Sequence, residues 1–333
     1  MNFKKTYLGG RNEVFVFGTV QNTQTEIIKY LDFESQYPSA SRLTQAELQL
    51  KLAANGTLHE YLCYDTDSAI KDFWKTAELV INCMKNQIPL PDSFTEKILG
   101  NVTFNYSKIK KLIIRTRLNK KLRDIYINSG KKGKPKKHTI TISMLDLLST
   151  VSYSHLVNKI SLDYLKKNIK IIASERLLLN TIKPHGKELF TKLVNHRRTI
   201  KEKLKNPDNT QYQINQLNAT QENIKYVMNS GYGLTTEGIS KDYIGKFQVL
   251  SVGCLIIACA RFLNYSAEIL YRMNNATPIY SDTDSIIALA IAKIHKQVLN
   301  FFKKTIKLKE ETEYGIIVKI HILGKKKYGI IRY

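Results

Sequence analysis

Cysteine is scarce in this sequence, and its few copies form no recognisable pair. The chain has four cysteines in 333 residues, none of them in a CxxC or Cys/His spacing: Cys63, Cys83, Cys254 and Cys259. This pattern argues against a zinc ribbon and a disulfide scaffold. It is typical of small buried residues in a reducing compartment.

Long apolar runs are also missing. The longest run, at about 249–262, is shorter than a membrane span and contains Arg261, so it predicts a buried helix. The first residues of the chain lack the apolar core of a signal peptide. We therefore expect no membrane partner and a protein that is not secreted.

Acidic residues are few relative to basic ones. The chain has 28 Asp and Glu against 52 Lys and Arg, which gives a net charge of +24. Such an excess favours a polyanion as partner, because basic side chains neutralise phosphates and release their counterions. Solubility and an anionic membrane surface are the alternatives, but neither requires the paired carboxylates of this chain. Nucleic acid is therefore the favoured partner.

Two of the acids stand together at the junction of two apolar segments. Asp282 and Asp284 follow 277–281 and precede 286–290, a pattern that predicts a strand, an acidic turn and a second strand. Like charges at a hairpin tip repel each other unless a cation lies between them. A hard divalent ion suits such oxygen ligands.

A near copy of the acidic segment occurs at 64–68, where a helical pattern follows it. We expect Ser68 or Asp67 to be the N-cap of that helix, a common structural use of these residue types. The copy at 282–285 has predicted strands on both sides, so it is the better candidate for chemistry.

A third acid, Asp32, ends an apolar strand predicted at 26–33. The backbone N–H groups of Ser35, Gln36 and Tyr37, at the start of the next helix, could hold a phosphate there. Beside the acidic hairpin, Asp32 would complete a carboxylate cluster able to bind two divalent ions for phosphoryl displacement. Taken alone, Asp32 is better explained as a helix cap.

Lys225, Asn229 and Tyr232 occupy positions i, i+4 and i+7 of a predicted helix, and therefore share one face. A lysine there can bind a triphosphate, and a tyrosine can stack on a base. Gly231 and Gly233 remove side chains where the backbone must turn or a ligand must approach.

Two further pairs carry basic groups. Arg197 and Lys201 stand at i and i+4 of a predicted helix, for which a solvated basic face is the simpler explanation. Lys326 and Tyr328 are predicted on one face of a strand, where they would suit a phosphate and a sugar or base.

The fold class predicted from these patterns is α+β. Strands are predicted at both ends of the chain, with mostly helical sequence between about 154 and 273. This order suggests one sheet built from distant segments. The composition, rich in residues with A/T-rich codons, points to an A/T-rich genome such as that of an organelle, a plasmid or a virus.

In this order, the segments resemble the motifs of the family B DNA polymerases. The similar segments are Asp32–Ser39 (motif A), Lys225–Gly233 (motif B), Tyr280–Ser285 (motif C) and Lys326–Tyr328 (the KxY motif). Tyr7–Gly10 is similar to the YxGG motif of the protein-primed branch. Gln36 departs from the usual Leu of motif A. The resemblance covers nearly the whole chain.

The resemblance implies a DNA-directed DNA polymerase that uses two Mg²⁺ ions, with Mn²⁺ as the alternative, and expected roles follow from it. The catalytic and metal-binding residues would be Asp32, Asp282 and Asp284. The dNTP would be bound by Ser35, Gln36, Tyr37, Arg197, Lys201, Lys225, Asn229 and Tyr232. Primer and template DNA would be bound by Tyr7, Gly9, Gly10, Gly233, Thr283, Lys326 and Tyr328. Tyr37 would also be the steric gate that rejects a ribose 2′-hydroxyl.

The resemblance also implies an architecture of palm and α-helical fingers, in which we expect the exonuclease and thumb domains to be absent. The expected segments are palm at 1–43 and 241–333, fingers at 151–240, and at 44–150 an insertion resembling the region that binds a terminal protein. The partners would be DNA template-primer, dNTPs and such a terminal protein. The expected location is the mitochondrion, or a host's cytoplasm for a virus or plasmid. The alternative functions are a split polymerase and a non-catalytic relic that only binds DNA or the terminal protein.

Overall fold

The computed structural model describes residues 6, 9–106, 138–179, 189–237, 245, 248–312 and 315–333. These residues form a mixed α/β fold with antiparallel sheets, in agreement with the predicted class. The strands are β1 (Asn12–Val14), β2 (Gly18–Gln21), β3 (Ile27–Phe33), β4 (Leu62–Cys63), β5 (Gly100–Tyr106), β6 (His138–Ser143), β7 (Ile169–Leu177), β8 (Thr277–Asp282), β9 (Ser285–Ala290), β10 (Leu308–Glu310), β11 (Ile317–Gly324) and β12 (Lys327–Arg332). The α-helices are α1 (Gln36–Leu43), α2 (Ala46–Ala54), α3 (Thr66–Asn86), α4 (Met144–Leu156), α5 (Leu162–Asn168), α6 (Leu189–Lys203), α7 (Gln211–Thr235), α8 (Leu250–Met273) and α9 (Ala292–Phe302).

The central sheet joins the two ends of the chain. Its strand order is β1-β8-β9-β3-β10, and every neighbouring pair is antiparallel. The prediction that distant segments share a sheet is confirmed, because β3 lies between β9 and β10.

The prediction of a single sheet is wrong. The described residues form three sheets, and the last two strands pair with β2 in the order β12-β11-β2 instead of extending the central sheet. This small sheet covers one face of the central sheet, where Ile28 and Ile287 pack with Ile320 and Ile322. The hairpin of β11 and β12 packs on the face of the central sheet and does not pair with its edge, because this arrangement buries the apolar side chains.

The third sheet, in the order β4-β7-β5-β6, contains one strand that was predicted to be helical sequence. Strand β7 pairs with β5 from Ile169 to Arg176. Buried and exposed side chains alternate at its start, as in a half-buried strand. The pairing partner lies about 70 positions upstream, so local periodicity did not reveal it.

The other face of the central sheet packs on helix α8, which is the centre of the core. Within the described residues this is the one helix long and apolar enough to cross a membrane, but 94% of its most apolar window is buried inside the protein. It packs against α1, α4, β8 and β9. The prediction of a buried helix here is confirmed.

Candidate active site

The three predicted acids lie at one end of the central sheet. Asp32 on β3 and Asp282 on β8 are the cross-strand neighbours of Ser285 on β9, one on each side. Cross-strand partners project from the same face, so the two acids flank Ser285 on that face. Asp284 lies in the turn between β8 and β9, and its carbonyl accepts a 2.7 Å hydrogen bond from Phe33 N. Acids about 250 positions apart in the chain are thus brought together.

The turn that carries Asp284 is held in an unfavourable backbone conformation. Thr283 has φ 51°, in the left-handed region that β-branched residues rarely adopt. Its N–H donates to Arg11 O at 2.5 Å, and its hydroxyl donates to Asp282 Oδ1 at 3.2 Å. Contacts from a distant segment therefore determine the shape of the turn.

The electrostatics of Asp32 and Asp284 are those of two close carboxylates. Burial, and after it the negative charge of Asp284, raise the pKa of Asp32 to about 6, while Lys309 and Lys201 oppose the rise. The pKa of Asp284 is also raised, first by desolvation and then by the charge of Asp282, against the opposing effect of Lys225. Negative charge on these carboxylates is destabilised by burial and by mutual repulsion. A bound cation would stabilise the charged carboxylates.

Asp282 has different surroundings from the other two acids. Its carboxylate accepts hydrogen bonds from Asn12 Nδ2 at 3.0 Å, from Thr283 Oγ1, and from the Tyr280 hydroxyl at 3.4 Å. In the part of the chain that is described, no three His, Cys, Asp or Glu side chains are grouped closely enough to ligate one metal ion. The pair Asp32 and Asp284 is therefore the metal-binding candidate, and metal ligation stays a prediction.

Asn264 of helix α8 supports the acidic hairpin from beneath, and the sequence patterns did not predict it. Its Oδ1 accepts hydrogen bonds from Ser281 Oγ at 2.6 Å and from Arg11 Nη1 at 3.0 Å. Its Nδ2 donates to Ser285 O at 3.1 Å and to Thr283 O at 3.4 Å. The available signal in the sequence was an asparagine within a predicted helical segment. In the structure this asparagine is fully buried, and a buried amide needs hydrogen-bond partners.

Arg11 is the second residue that the patterns missed. It is buried, it forms ion pairs with Glu268 and Glu13, and its guanidinium lies 3.8 Å from the Tyr265 ring centroid. Its place directly after the Tyr7–Gly10 segment could have revealed it. Tyr7 itself lies outside the described residues, and Gly9 O accepts from Arg261 Nη1 at 3.2 Å.

The loop after β3 connects the acids to the basic helix α6. Ser35 has φ 52° and precedes helix α1, and its hydroxyl accepts a 3.1 Å hydrogen bond from Arg197 Nη1. Lys201, one turn further along α6, lies 3.8 Å from Glu34 Oε1. Burial, and after it the charge of Arg197, lower the pKa of Lys201. The predicted pair Arg197 and Lys201 thus lies beside the acids and is not only a solvated basic face.

Gln36 places its side chain away from this loop. The side chain is buried, and Nε2 donates to Ala260 O at 3.3 Å. The side chain is therefore packed against helix α8, which is compatible with the departure from leucine in this motif.

Helix α7 faces the loop with an aromatic side chain. The rings of Tyr232 and Tyr37 are stacked, with centroids 4.6 Å apart and an interplanar angle of 4°. Lys225 and Asn229 are exposed, and Lys225 Nζ lies 3.6 Å from Glu222 Oε2. Lys225 nevertheless lies close enough to lower the pKa of Asp284.

The two glycines of α7 do not mark a turn. Gly231 and Gly233 lie inside the helix, which continues to Thr235, so the prediction of a backbone turn here is wrong. A Cβ at Gly233 would meet no atom within 4 Å, which leaves open space for a ligand. Gly10 is different, because a Cβ there would lie 3.2 Å from two side-chain atoms of Thr283 and 3.5 Å from the Tyr37 hydroxyl.

The hairpin of β11 and β12 docks against the acidic strand. Lys326 lies in the turn with φ 57°, so the prediction that it shares a strand face with Tyr328 is wrong. Its N–H donates to the Tyr280 hydroxyl at 3.0 Å, and the Tyr328 ring centroid lies 5.1 Å from that of Tyr280. Burial, followed by the charge of Asp282, raises the pKa of Tyr328, so this hairpin adjoins the acids.

The copy at 64–68 has a structural role. Helix α3 begins at Thr66, and its N-cap is Asp65, whose carboxylate accepts from Ser68 N at 3.1 Å. The helix-cap interpretation is confirmed, although the capping residue is neither Ser68 nor Asp67.

No curated protein matches the sequence. A solved structure of the family B DNA polymerase from the hyperthermophilic archaeon Pyrobaculum calidifontis aligns with 98% of this chain at 13% identity and a TM-score of 0.39, and this chain covers 28% of that one. A likeness at this level does not bear on function. Residues 180–331 match the family model of DNA polymerase family B. This match covers the part of the chain that carries the acidic hairpin and the Lys225 helix.

Proposed function

We propose that the chain is a DNA-directed DNA polymerase that transfers nucleotides from dNTPs to a primer 3′-hydroxyl on a DNA template. The observation that carries this proposal is the meeting of Asp32 and Asp284 beside the cations Arg197, Lys201 and Lys225. Carboxylates for metal ions and cations for phosphates are the two requirements of phosphoryl transfer. The family match over residues 180–331 supports the same class of reaction.

The donor set at the acids fits Mg²⁺, with Mn²⁺ as the alternative. Mg²⁺ is usually held by one or two carboxylates together with substrate phosphates, which is what Asp32 and Asp284 offer. Two bound ions would supply charge stabilisation for the attacking and leaving oxygens of an in-line displacement. Asp282 would act as an accessory ligand, because its carboxylate already accepts hydrogen bonds from neutral donors.

The cations of α6 and α7 would bind the triphosphate of the dNTP. Arg197 is held over the Ser35 loop, and Lys201 lies one helical turn beyond it. Lys225 would reach the phosphates from the opposite helix. Exposed Asn229 and the backbone N–H groups of the loop add polar contacts.

The stacked tyrosines would form the floor of the sugar and base pocket. A rigid ring at Tyr37 can reject a 2′-hydroxyl by contact, and Tyr232 can pack on the nascent base pair. The primer terminus would lie near Thr283 and Gly10, and Lys326 with Tyr328 would contact its phosphate and sugar.

In this proposal the central sheet with its flanking strands is a polymerase palm, and α6 and α7 form the fingers. The region 44–150 would bind a terminal protein that primes synthesis, as the Tyr7–Gly10 segment suggests by resemblance. A mitochondrial, plasmid or viral genome would be the template. Template-primer DNA and dNTPs would be the partners in every case.

The test is incorporation of labelled dNTP on a primed template by the purified chain. Asp284→Ala should abolish incorporation, and so should Asp32→Asn. Asp67→Ala is the matched control, because it changes the exposed acid of the near copy. Equal loss of activity in Asp284→Ala and Asp67→Ala would refute the assignment. Salt-sensitive DNA binding without any incorporation would identify a non-catalytic relic.

A further inference from the structure

A cavity of about 810 Å³ lies between helices α1, α6 and the turn that follows α9. Five basic side chains line it: Arg42, Arg198, Lys303, Lys304 and Lys307. Its remaining wall is partly apolar and includes Pro38, Val194 and Leu299. Among the residues that the structure describes, no acidic side chain lines this cavity, so these residues give it a strongly positive potential.

Within the described ranges, only part of this charge is neutralised by ion pairs. Arg42 pairs with Asp92 at 3.2 Å, and Lys307 lies 3.6 Å from Glu34 Oε2. For the three others, Arg198, Lys303 and Lys304, no ion pair is formed with any residue that the structure describes. All three are exposed, so their charged groups are accessible to an external anion.

The cavity adjoins the proposed active site but is separate from it. Arg197 contacts Ser35 on the side of the acids, whereas the next residue, Arg198, lines the cavity. Glu34 separates the two, because its carboxylate lies between Lys201 at 3.8 Å and Lys307 at 3.6 Å. A ligand in the cavity would therefore lie behind the nucleotide pocket and would not occupy it.

We propose that this basic cavity binds the phosphates of an unpaired nucleic acid strand. Exposed lysines hold a small free anion weakly at physiological salt, because water and salt screen each contact. A strand gains more, since several linked phosphates release counterions together. The apolar wall gives a splayed base or sugar a surface to pack on, as single-strand binding sites commonly do.

The test measures the binding of a labelled single-stranded oligonucleotide by fluorescence anisotropy over a range of salt concentrations. The variant is K303E/K304E, which reverses two charges in the cavity. The control is K71E/K75E, which reverses two charges at exposed positions of α3, away from the cavity. Metal ions and dNTPs are left out, so the result does not depend on polymerase activity.

For K303E/K304E we expect single-strand affinity to fall at least about tenfold. The slope of log K against log salt should fall in magnitude by about 1.4, which corresponds to two single-strand phosphate contacts. K71E/K75E should keep the wild-type slope. An equal loss in both variants would overturn the proposal in favour of diffuse charge attraction, and wild-type binding by K303E/K304E would overturn it outright.

A competition experiment separates a strand from a free polyphosphate. Pyrophosphate or dNTP added to the wild-type complex should displace the strand only at concentrations that also raise ionic strength appreciably. Displacement at low concentration from the wild type but not from K303E/K304E would assign the cavity to a free polyphosphate and overturn the strand proposal.

Discussion

Substitution of Asn264 should damage catalysis through the acidic hairpin. Asn264→Leu conserves volume but removes contacts to Arg11, Ser281, Ser285 and Thr283. A buried hydrogen bond contributes about 1 kcal/mol, and one to a charged partner about 1.5–3 kcal/mol. We therefore expect the free energy of unfolding to fall by about 4 kcal/mol. Asn264→Asp keeps both acceptor contacts but places a carboxylate oxygen against the carbonyls of Ser285 and Thr283, so we expect a loss of similar size.

The catalytic effect should appear in kcat and not in KM. The Asn264 amide holds the backbone on both sides of Asp284, so its loss releases the turn. A displacement of about 1 Å at a reacting centre can reduce the rate about 100-fold. Arg197 and Lys201, which would hold the dNTP, lie on another helix and stay in place. For Asn264→Asp, steady-state incorporation should show kcat about 100-fold lower and KM for dNTP within about threefold of wild type.

A control on the same helix distinguishes positioning from general loss of stability. Ser266 is also fully buried, and its hydroxyl donates to Phe262 O at 2.8 Å, within helix α8 itself. Ser266→Ala should reduce stability by about 1 kcal/mol and leave kcat unchanged. Wild-type kcat in a folded Asn264→Asp variant would refute the reasoning, and so would an unchanged kcat with a raised KM.

Three further predictions concern stability. Asp65→Ala should cost about 1 kcal/mol in chemical denaturation because it removes the N-cap of α3, whereas Asp67→Ala should be nearly neutral. Burial lowers the pKa of His295 below 6.5, so the unfolded chain binds a proton that the folded chain does not, and the free energy of unfolding should decrease as pH falls below about 6.5. His295→Gln should flatten this decrease, and an unchanged pH dependence would show that other groups cause it. Asp146→Asn should cost about 3–5 kcal/mol in urea unfolding, because it leaves the buried guanidinium of Arg261 without its anionic partner, and a loss below about 1 kcal/mol would contradict the pairing.

Local patterns predicted the elements whose shape depends on their own residues. A helix after the 64–68 copy, a helix carrying Lys225, the buried helix α8 and the hairpin of β8 and β9 were all predicted, because their apolar periodicity is strong. Strand β7 was missed, because only its pairing with β5 makes it a strand. The stacking of the β11–β12 hairpin on the central sheet was missed for the same reason, since a sequence does not state which face a distant strand will cover.

The candidate site divides in a similar way. Acids and cations at recognisable spacings were predicted, because the residue types themselves indicate which ligands they can bind. Arg11 and Asn264 were missed, because their role depends on their contacts with the turn at Thr283. In the sequence this turn is about 270 positions from Arg11 and about 20 positions from Asn264. Lys326 was assigned to a strand, but its positive φ places it in the turn. The residues proposed to contact the substrate were thus easier to predict than the residues that position those side chains.

The arrangement of the central sheet has a consequence for how the chain acquires its structure. Strand β3 pairs with β9 and β10, and both of these strands lie more than 250 positions downstream in the sequence. Closing so large a loop must precede any gain from the pairing, which makes such contacts slow to form. During synthesis strand β3 therefore stays without its partner strands until β9 and β10 have been made. Asp32 and Asp284 cannot repel each other before that moment, so the electrostatic cost of bringing these two carboxylates together arises only when β3 pairs with β9.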